Sequence, residues 1–169
     1  MWSLSFFRFR TPVKNTPKSI LFVCLGNICR SPTGEGIFRS YIQQHENDQV
    51  ITVDSAGTIG YHQGNPADAR VRQTAARRGY DLQSRSRKIK PDDLDTFDLV
   101  IAMDRENLQD IKEVHPDPTA SVKLLSDFLD DQWPTDVPDP YYGGDEGFEY
   151  VVDMIEAAVP KIFEHLTQA

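Results

Sequence analysis

The 169-residue chain has only two cysteines, no apolar run near the about 20 residues that a bilayer span requires, and no internal repeat or low-complexity linker. Each scarcity removes a class of readings. Cys24 and Cys29 stand five positions apart, which makes no secreted disulfide framework, and they lack the second pair that a zinc site needs. A reducing, cytoplasmic setting is therefore expected, with no metal, no cofactor and no stable membrane association. Without repeats or linkers the chain reads as one domain, long enough to bury about two-thirds of its unfolded surface. His45, His62, His115 and His165 are scattered without ligand spacing, so surface or packing roles are expected for all of them. No loop ends in Gly-Lys-Ser/Thr, which removes a nucleotide-binding P-loop.

What is present is an alternation of short apolar runs and helical periodicities. Strands are expected at Ser19–Cys24, Val50–Asp54, Asp98–Met103 and Ser121–Leu125. Helices are expected at Pro32–Gln44, where Ile37, Phe38, Tyr41 and Ile42 share a face, at Asp68–Arg78 before a capping Gly79, at Arg105–His115 before Pro116, and at Glu146–Thr167. Nearly continuous apolar strands separated by helices imply an α/β fold: a single three-layer domain whose four-stranded parallel sheet is flanked by helices. Ligands of such sheets bind at the carboxyl ends of the strands, which is where Cys24 falls.

The most informative segment is Ile20-Leu21-Phe22-Val23-Cys24-Leu25-Gly26-Asn27-Ile28-Cys29-Arg30-Ser31-Pro32. Pro32 suits the first turn of a helix, so Cys24 sits where strand becomes helix, beneath unpaired backbone N–H groups. That setting favours a thiolate and a bound oxyanion. Arg30 adds a planar fork of donors that fits two phosphate oxygens. The loop between first strand and first helix thus reads as a nucleophile in a phosphate cradle, with Cys24 attacking and Arg30 and the N–H groups of residues 25–30, from Leu25 through Gly26, Asn27, Ile28 and Cys29, as the charge clamp. Gly26 allows close backbone approach, and Asn27 tolerates the left-handed region.

The segment Cys24-Leu-Gly-Asn-Ile-Cys-Arg30-Ser31-Pro32, followed far downstream by Asp139-Pro140-Tyr141-Tyr142-Gly143, resembles the low-molecular-weight protein tyrosine phosphatases. Val53–Gly57, Gly64-Asn65-Pro66 and Phe97–Asp104 resemble family segments in the same order, and the match spans roughly residues 18–167. The resemblance implies a phosphocysteine on Cys24, Asp139 as general acid and then base, and Asn27 holding the loop through hydrogen bonds with Ser55 as partner. It also implies that Ser31 donates to the cysteine sulfur, besides the plain N-cap role open to any serine there. Asp139 lies in a turn-rich loop stiffened by Pro138 and Pro140 and is expected to arrive protonated near the substrate's charge; Asp136 is the second candidate. Tyr61, Tyr141 and Tyr142 are candidate walls for an aromatic ring, or simple packing residues. The resemblance makes Tyr141 and Tyr142 candidate phosphorylation sites, and Cys29 either a small buried residue or a reversible disulfide partner of Cys24.

Phosphotyrosine-containing proteins are the expected partners, with a monomer or weak dimer as the working form. An arsenate reductase of the same fold would need further cysteines, and none follows Cys29. Protein-arginine phosphatases share much of the loop but tend to carry threonine where Ile28 stands. A non-catalytic phosphotyrosine-binding module would need neither nucleophile nor acid.

Net charge is −8, and the charges are segregated: eight of the eighteen Lys and Arg fall in residues 70–90, and ten of the twenty-six acids in residues 127–156. Two solvated faces account for this, or a basic segment that gathers anionic phosphoproteins. Overall acidity and the lack of an aromatic-interleaved basic motif exclude nucleic acid. Residues 1–18 are expected to be a disordered extension or the product of a start placed too early, with residues 19–169 as the phosphatase domain. That extension holds Arg8, Arg10, Lys14 and Lys18 and no acid, faintly like a transit peptide or a membrane-surface contact; Pro12 and Pro17 argue against one helix.

Overall fold

The fold is that of a computed structural model, which describes residues 16–45 and 49–169. The expected extension, apart from residues 16–18, lies outside the described residues. Four parallel strands form one sheet in the order β2-β1-β3-β4: β1 (Lys18–Cys24), β2 (Ile51–Gly57), β3 (Leu99–Ala102) and β4 (Ser121–Leu124). β1 is central, pairing Phe22 with Ser55 on one side and Ile101 on the other.

Side-chain alternation divides the core. Ile20, Phe22 and Cys24 face α1 (Arg30–Gln44) and α5 (Asp145–Gln168), where they meet Phe38, Met154 and Ile155. Leu21 and Val23 point the other way, toward Ile111 of α4 (Arg105–Val114) and Leu94 of the short α3 (Asp93–Thr96). Each such large apolar side chain contributes about 1.5–3 kcal/mol when withdrawn from water. A third cluster packs α2 (Ala69–Arg77) on the start of α5, joining Val71, Ala75 and Leu82 to Phe148, with Ile28 and Cys29 of the loop on top. The helices on both faces and the parallel sheet agree with the expected α/β layers. Among the described residues, no helix is long and apolar enough to cross a membrane.

Two departures bear on the site. β2 runs on to Gly57 instead of stopping at Asp54, because Ser55, Ala56 and Gly57 pair with Phe22, Val23 and Cys24. A Cβ on Gly57 would lie 2.7 Å from the Leu25 carbonyl oxygen, so these small residues let the loop backbone rest on the sheet edge. α1 begins at Arg30, two residues before Pro32, which places Arg30 itself in the first helical turn. Gly79 closes α2 with φ +85°, as its position suggested.

Candidate active site

The loop after Cys24 is shaped from outside by hydrogen bonds to its carbonyls. Thr58 N–H donates to Cys24 O at 2.9 Å, Ile59 N–H to Leu25 O at 3.1 Å, Ser86 Oγ to Gly26 O at 3.0 Å, and Asp68 N–H to Ile28 O at 2.8 Å. Across a trans peptide the next N–H points opposite to the carbonyl, so the N–H groups of Gly26, Asn27 and Cys29 turn toward the loop's interior. Leu25 differs: with the Asn107 amide turned so that Nδ2 faces Asp104 at 3.0 Å, Asn107 Oδ1 accepts the Leu25 N–H at 3.3 Å. Asn27 takes the left-handed conformation, φ +54°, which reverses the chain. Cys29 occupies the N-cap of α1 without a side-chain cap, leaving first-turn N–H groups for an anion.

Inside the loop the polar side chains are saturated. Cys24 Sγ lies 3.0 Å from Ser31 Oγ. Asn27 Nδ2 donates to Ser31 Oγ at 2.8 Å and to Ser55 Oγ at 3.0 Å, while Asn27 Oδ1 accepts from Arg87 N–H at 2.9 Å. The structure thus brings together Cys24, Asn27, Ser31 and Ser55, the grouping that the family resemblance implies.

Arg30 is 3% exposed, and its surroundings aim it. Nη1 donates to Asp104 Oδ2 at 2.5 Å and to Val137 O at 3.1 Å, and Nη2 reaches Asp139 Oδ2 at 3.5 Å. A guanidinium has five N–H donors. These contacts occupy three and leave one on Nε and one on Nη2, the edge that grips two oxygens of a phosphate. Burial alone would lower the Arg30 pKa, but the Cys24 charge and the Asp104 hydrogen bond outweigh it, and the pKa rises. Asp104 in turn caps α4 by accepting Asn107 N–H at 2.7 Å.

Cys24, Arg30 and Asp139 line a cavity of about 340 Å³ that also includes Tyr61, His62, Tyr141 and Tyr142. Tyr61 and Tyr142 stand out into solvent at 84% and 91% exposure, forming an aromatic rim. Asp139 is fixed at that rim by accepting Tyr141 N–H at 3.0 Å, where it caps the short 3-10 turn Pro140–Tyr142. Arg70 covers the outer face of Tyr141 at 5.4 Å and of Phe148 at 4.9 Å. Asp136 faces away, with its carboxylate on Arg105 N–H at 2.9 Å and Nη2 at 2.8 Å; those bonds hold its pKa below the usual carboxylate range. Cys29 is 4% exposed, and burial, followed by Asp68, pushes its thiol pKa well up. A larger cavity of about 530 Å³ lies beyond α1, lined by Glu35, Arg39 and Tyr80 among others, and holds none of Cys24, Arg30 or Asp139.

Sequence reasoning missed Asp104, Asn107, Glu35, Gly57 and His62. His62 was expected to be a surface or packing residue, yet it forms part of the cavity wall, with Cδ2 3.0 Å from where a Cβ on Gly26 would stand. The Gly-Tyr-His-Gln-Gly run around it marks a loop but carries no sign of its destination.

Comparison with known proteins agrees with this geometry. The family model described as low molecular weight phosphotyrosine protein phosphatase matches residues 19–169. The chain is 41% identical over 137 residues to the low molecular weight phosphotyrosine protein phosphatase of Homo sapiens, covering 79% of this chain and 86% of that one. It is 40% identical over 146 residues to the low molecular weight protein-tyrosine-phosphatase YfkJ of Bacillus subtilis, covering 85% and 92%. Among solved structures, a protein tyrosine phosphatase from Entamoeba histolytica superposes with a TM-score of 0.85 at 39% identity, covering 89% of this chain and 97% of that one. The chain belongs to the low molecular weight phosphotyrosine protein phosphatase family.

Proposed function

We propose that this protein hydrolyses phosphotyrosine in proteins, and small aryl phosphates, by double displacement on Cys24. The observation that carries the reading is that Cys24, the open edge of Arg30 and the Asp139 carboxyl share one cavity whose rim is aromatic. The phosphate lies among the amides of Gly26 to Arg30 with Arg30 gripping two of its oxygens. Positioning and electrostatics of this kind supply most of the acceleration in phosphoryl transfer. Cys24 sulfur attacks phosphorus while Asp139 protonates the leaving tyrosine oxygen. Asp139 then takes the proton of the water that displaces phosphate from sulfur.

Tyr61, Tyr141 and Tyr142 hold the substrate ring, and Ser55 and Asn27 hold the loop. Residues 19–169 form the catalytic unit and residues 1–18 an extension to it. A cytoplasmic location suits a nucleophile that must stay reduced. Phosphotyrosine, phosphoserine and phosphoarginine peptides assayed side by side test the specificity. Strong preference for phosphotyrosine is expected, whereas equal or faster turnover of phosphoserine or phosphoarginine would overturn it.

A further inference from the structure

The hydrogen-bonded chain that ends at the nucleophile begins at Glu35. This residue is 6% exposed, and its two oxygens are divided between partners: Oε1 accepts from Arg39 at 2.9 and 3.2 Å, and Oε2 from Ser55 Oγ at 2.5 Å. A carboxylate can only accept, so the single proton of Ser55 is committed to Glu35. Ser55 Oγ is left as an acceptor and meets Asn27 Nδ2 at 3.0 Å. The second N–H of that amide goes to Ser31 Oγ at 2.8 Å, and Arg87 N–H on Oδ1 keeps the amide from turning over. Ser31 therefore already accepts, and its proton is free to donate. Cys24 Sγ stands 3.0 Å away and the competing Ala56 carbonyl 3.4 Å. Each link has one permitted direction: Asn27 donates to both serines, Ser55 donates to the carboxylate and Ser31 to the sulfur.

We propose that Glu35 is a positioning residue for the nucleophile: by holding Ser55 as the acceptor of one Asn27 N–H, it keeps the other N–H on Ser31 and the Ser31 hydroxyl on Sγ. This rests on the phosphatase reading above. The benefit falls on the second step. There a water oxygen bonds to phosphorus, the water proton passes to Asp139, the sulfur–phosphorus bond breaks and its electron pair returns to sulfur. The charge appearing on sulfur meets an O–H already aimed at it, a preorganised donor of the kind that stabilises charge as it develops. Removing Glu35 frees the Ser55 proton, loosens Asn27 and lets Ser31 turn toward Ala56.

The sign of the effect separates this relay from simple electrostatics. Acting through space, the negative charge of Glu35 opposes charge on sulfur, so its removal would speed the breakdown step. The relay predicts slowing. Rapid-quench kinetics with an activated aryl phosphate resolve formation of the phosphocysteine from its hydrolysis. In Glu35→Ala, hydrolysis is expected to slow about tenfold, the loss of one hydrogen bond to a charged group, while formation changes less and a burst appears.

Glu35→Gln, which offers its oxygen to only one of the two partners, is expected to fall between. Should Glu35→Ala fail to fold in a thermal melt, Glu35→Gln and Ser55→Ala carry the same test. In a Ser31→Ala background the Glu35 substitution is expected to add nothing. Unchanged or faster hydrolysis in the Glu35 variants would overturn the relay, as would the same slowing with Ser31 already removed. A wild-type enzyme that turns over without any phosphocysteine would overturn the underlying chemistry and the relay with it.

Discussion

Asp136 and Asp139 stand three residues apart on one loop, and their surroundings divide the work between them. Asp136 is bound by Arg105 and kept ionised, so it has no proton to give and serves to tie the loop to the start of α4. Asp139 lies in the cavity beside Arg30. Asp139→Asn is expected to slow phosphocysteine formation from phosphotyrosine by about 10²–10⁴-fold, and less for an aryl phosphate whose leaving group needs no proton. Asp136→Asn removes an exposed pair worth about 0–1 kcal/mol and is expected to leave that step nearly intact. Stopped-flow comparison of the two variants checks the assignment.

Burial keeps Cys29 a neutral thiol, the less oxidisable form. On mild oxidation a Cys24 sulfenic acid is expected to condense with the Cys29 thiol to a disulfide, with loss of water. Peptide mass spectrometry after mild peroxide treatment is expected to show that crosslink, and a sulfonic acid on Cys24 would contradict it. Cys24 and Arg30 were legible because a single continuous loop carries both. Asp104 was not, because its meaning is a contact with a residue 74 positions earlier that nothing in its own neighbourhood announces. Glu35 was hidden for the same reason: its partner Ser55 lies twenty residues on, in β2.

The phosphate loop depends on the strand beside it. Gly57 ends β2 where Leu25 O, Asn27 N and the Gly26 carbonyl carbon would lie 2.7–3.1 Å from an added Cβ, all of them backbone atoms that cannot swing aside. Gly57→Ala is expected to destabilise the fold by about 1–3 kcal/mol, the usual penalty for overpacking, and to lower activity by displacing the loop. Urea titration together with turnover measures both, and an unperturbed variant would contradict the close approach. The same contact explains why the end of β2 was misread. Ser55, Ala56 and Gly57 have weak strand preference, and only the loop lying on them reveals why small residues are needed there. α3, with four residues, is too short to leave a periodic signal. The longer elements were readable because their apolar spacing reports burial directly.

The segregated charges do not simply form two solvated faces. Arg78, from the basic segment, binds Glu149, Asp153 and Glu156 of the acidic one, and Arg77 joins at Glu149, which docks α2 on α5. This part of the basic segment is therefore paired with α5 as well as solvated, since Arg77 stays 57% exposed while it binds Glu149. These contacts give the molecule a pH profile whose signs follow from linkage. Hydrogen bonds from Arg77 and Arg78 hold Glu149 below its ordinary value of 4.5, and those from Arg70 hold Asp68 below 3.8. Unfolded carboxylates therefore bind protons first, and stability present above those values is lost as pH falls through and below them. Burial and the Glu156 hydrogen bond push Tyr80 up to about 12 from 10.0. Its contribution is complete below pH 10 and is lost as pH rises from there toward 12, with Cys29 adding a loss that begins above its ordinary 9.0. Denaturant midpoints across pH are expected to show a plateau with a fall at both ends, and a midpoint that keeps rising into the alkaline range would contradict the raised values of Tyr80 and Cys29.

The central claim is that Cys24 carries the phosphoryl group. Acid quenching during turnover of an aryl phosphate, followed by peptide mass spectrometry, tests it most directly. One phosphoryl group on the peptide holding Cys24, and none in Cys24→Ser, is the predicted result. Continued turnover by the wild type with no sulfur-linked phosphate, or by Cys24→Ser at all, would contradict it.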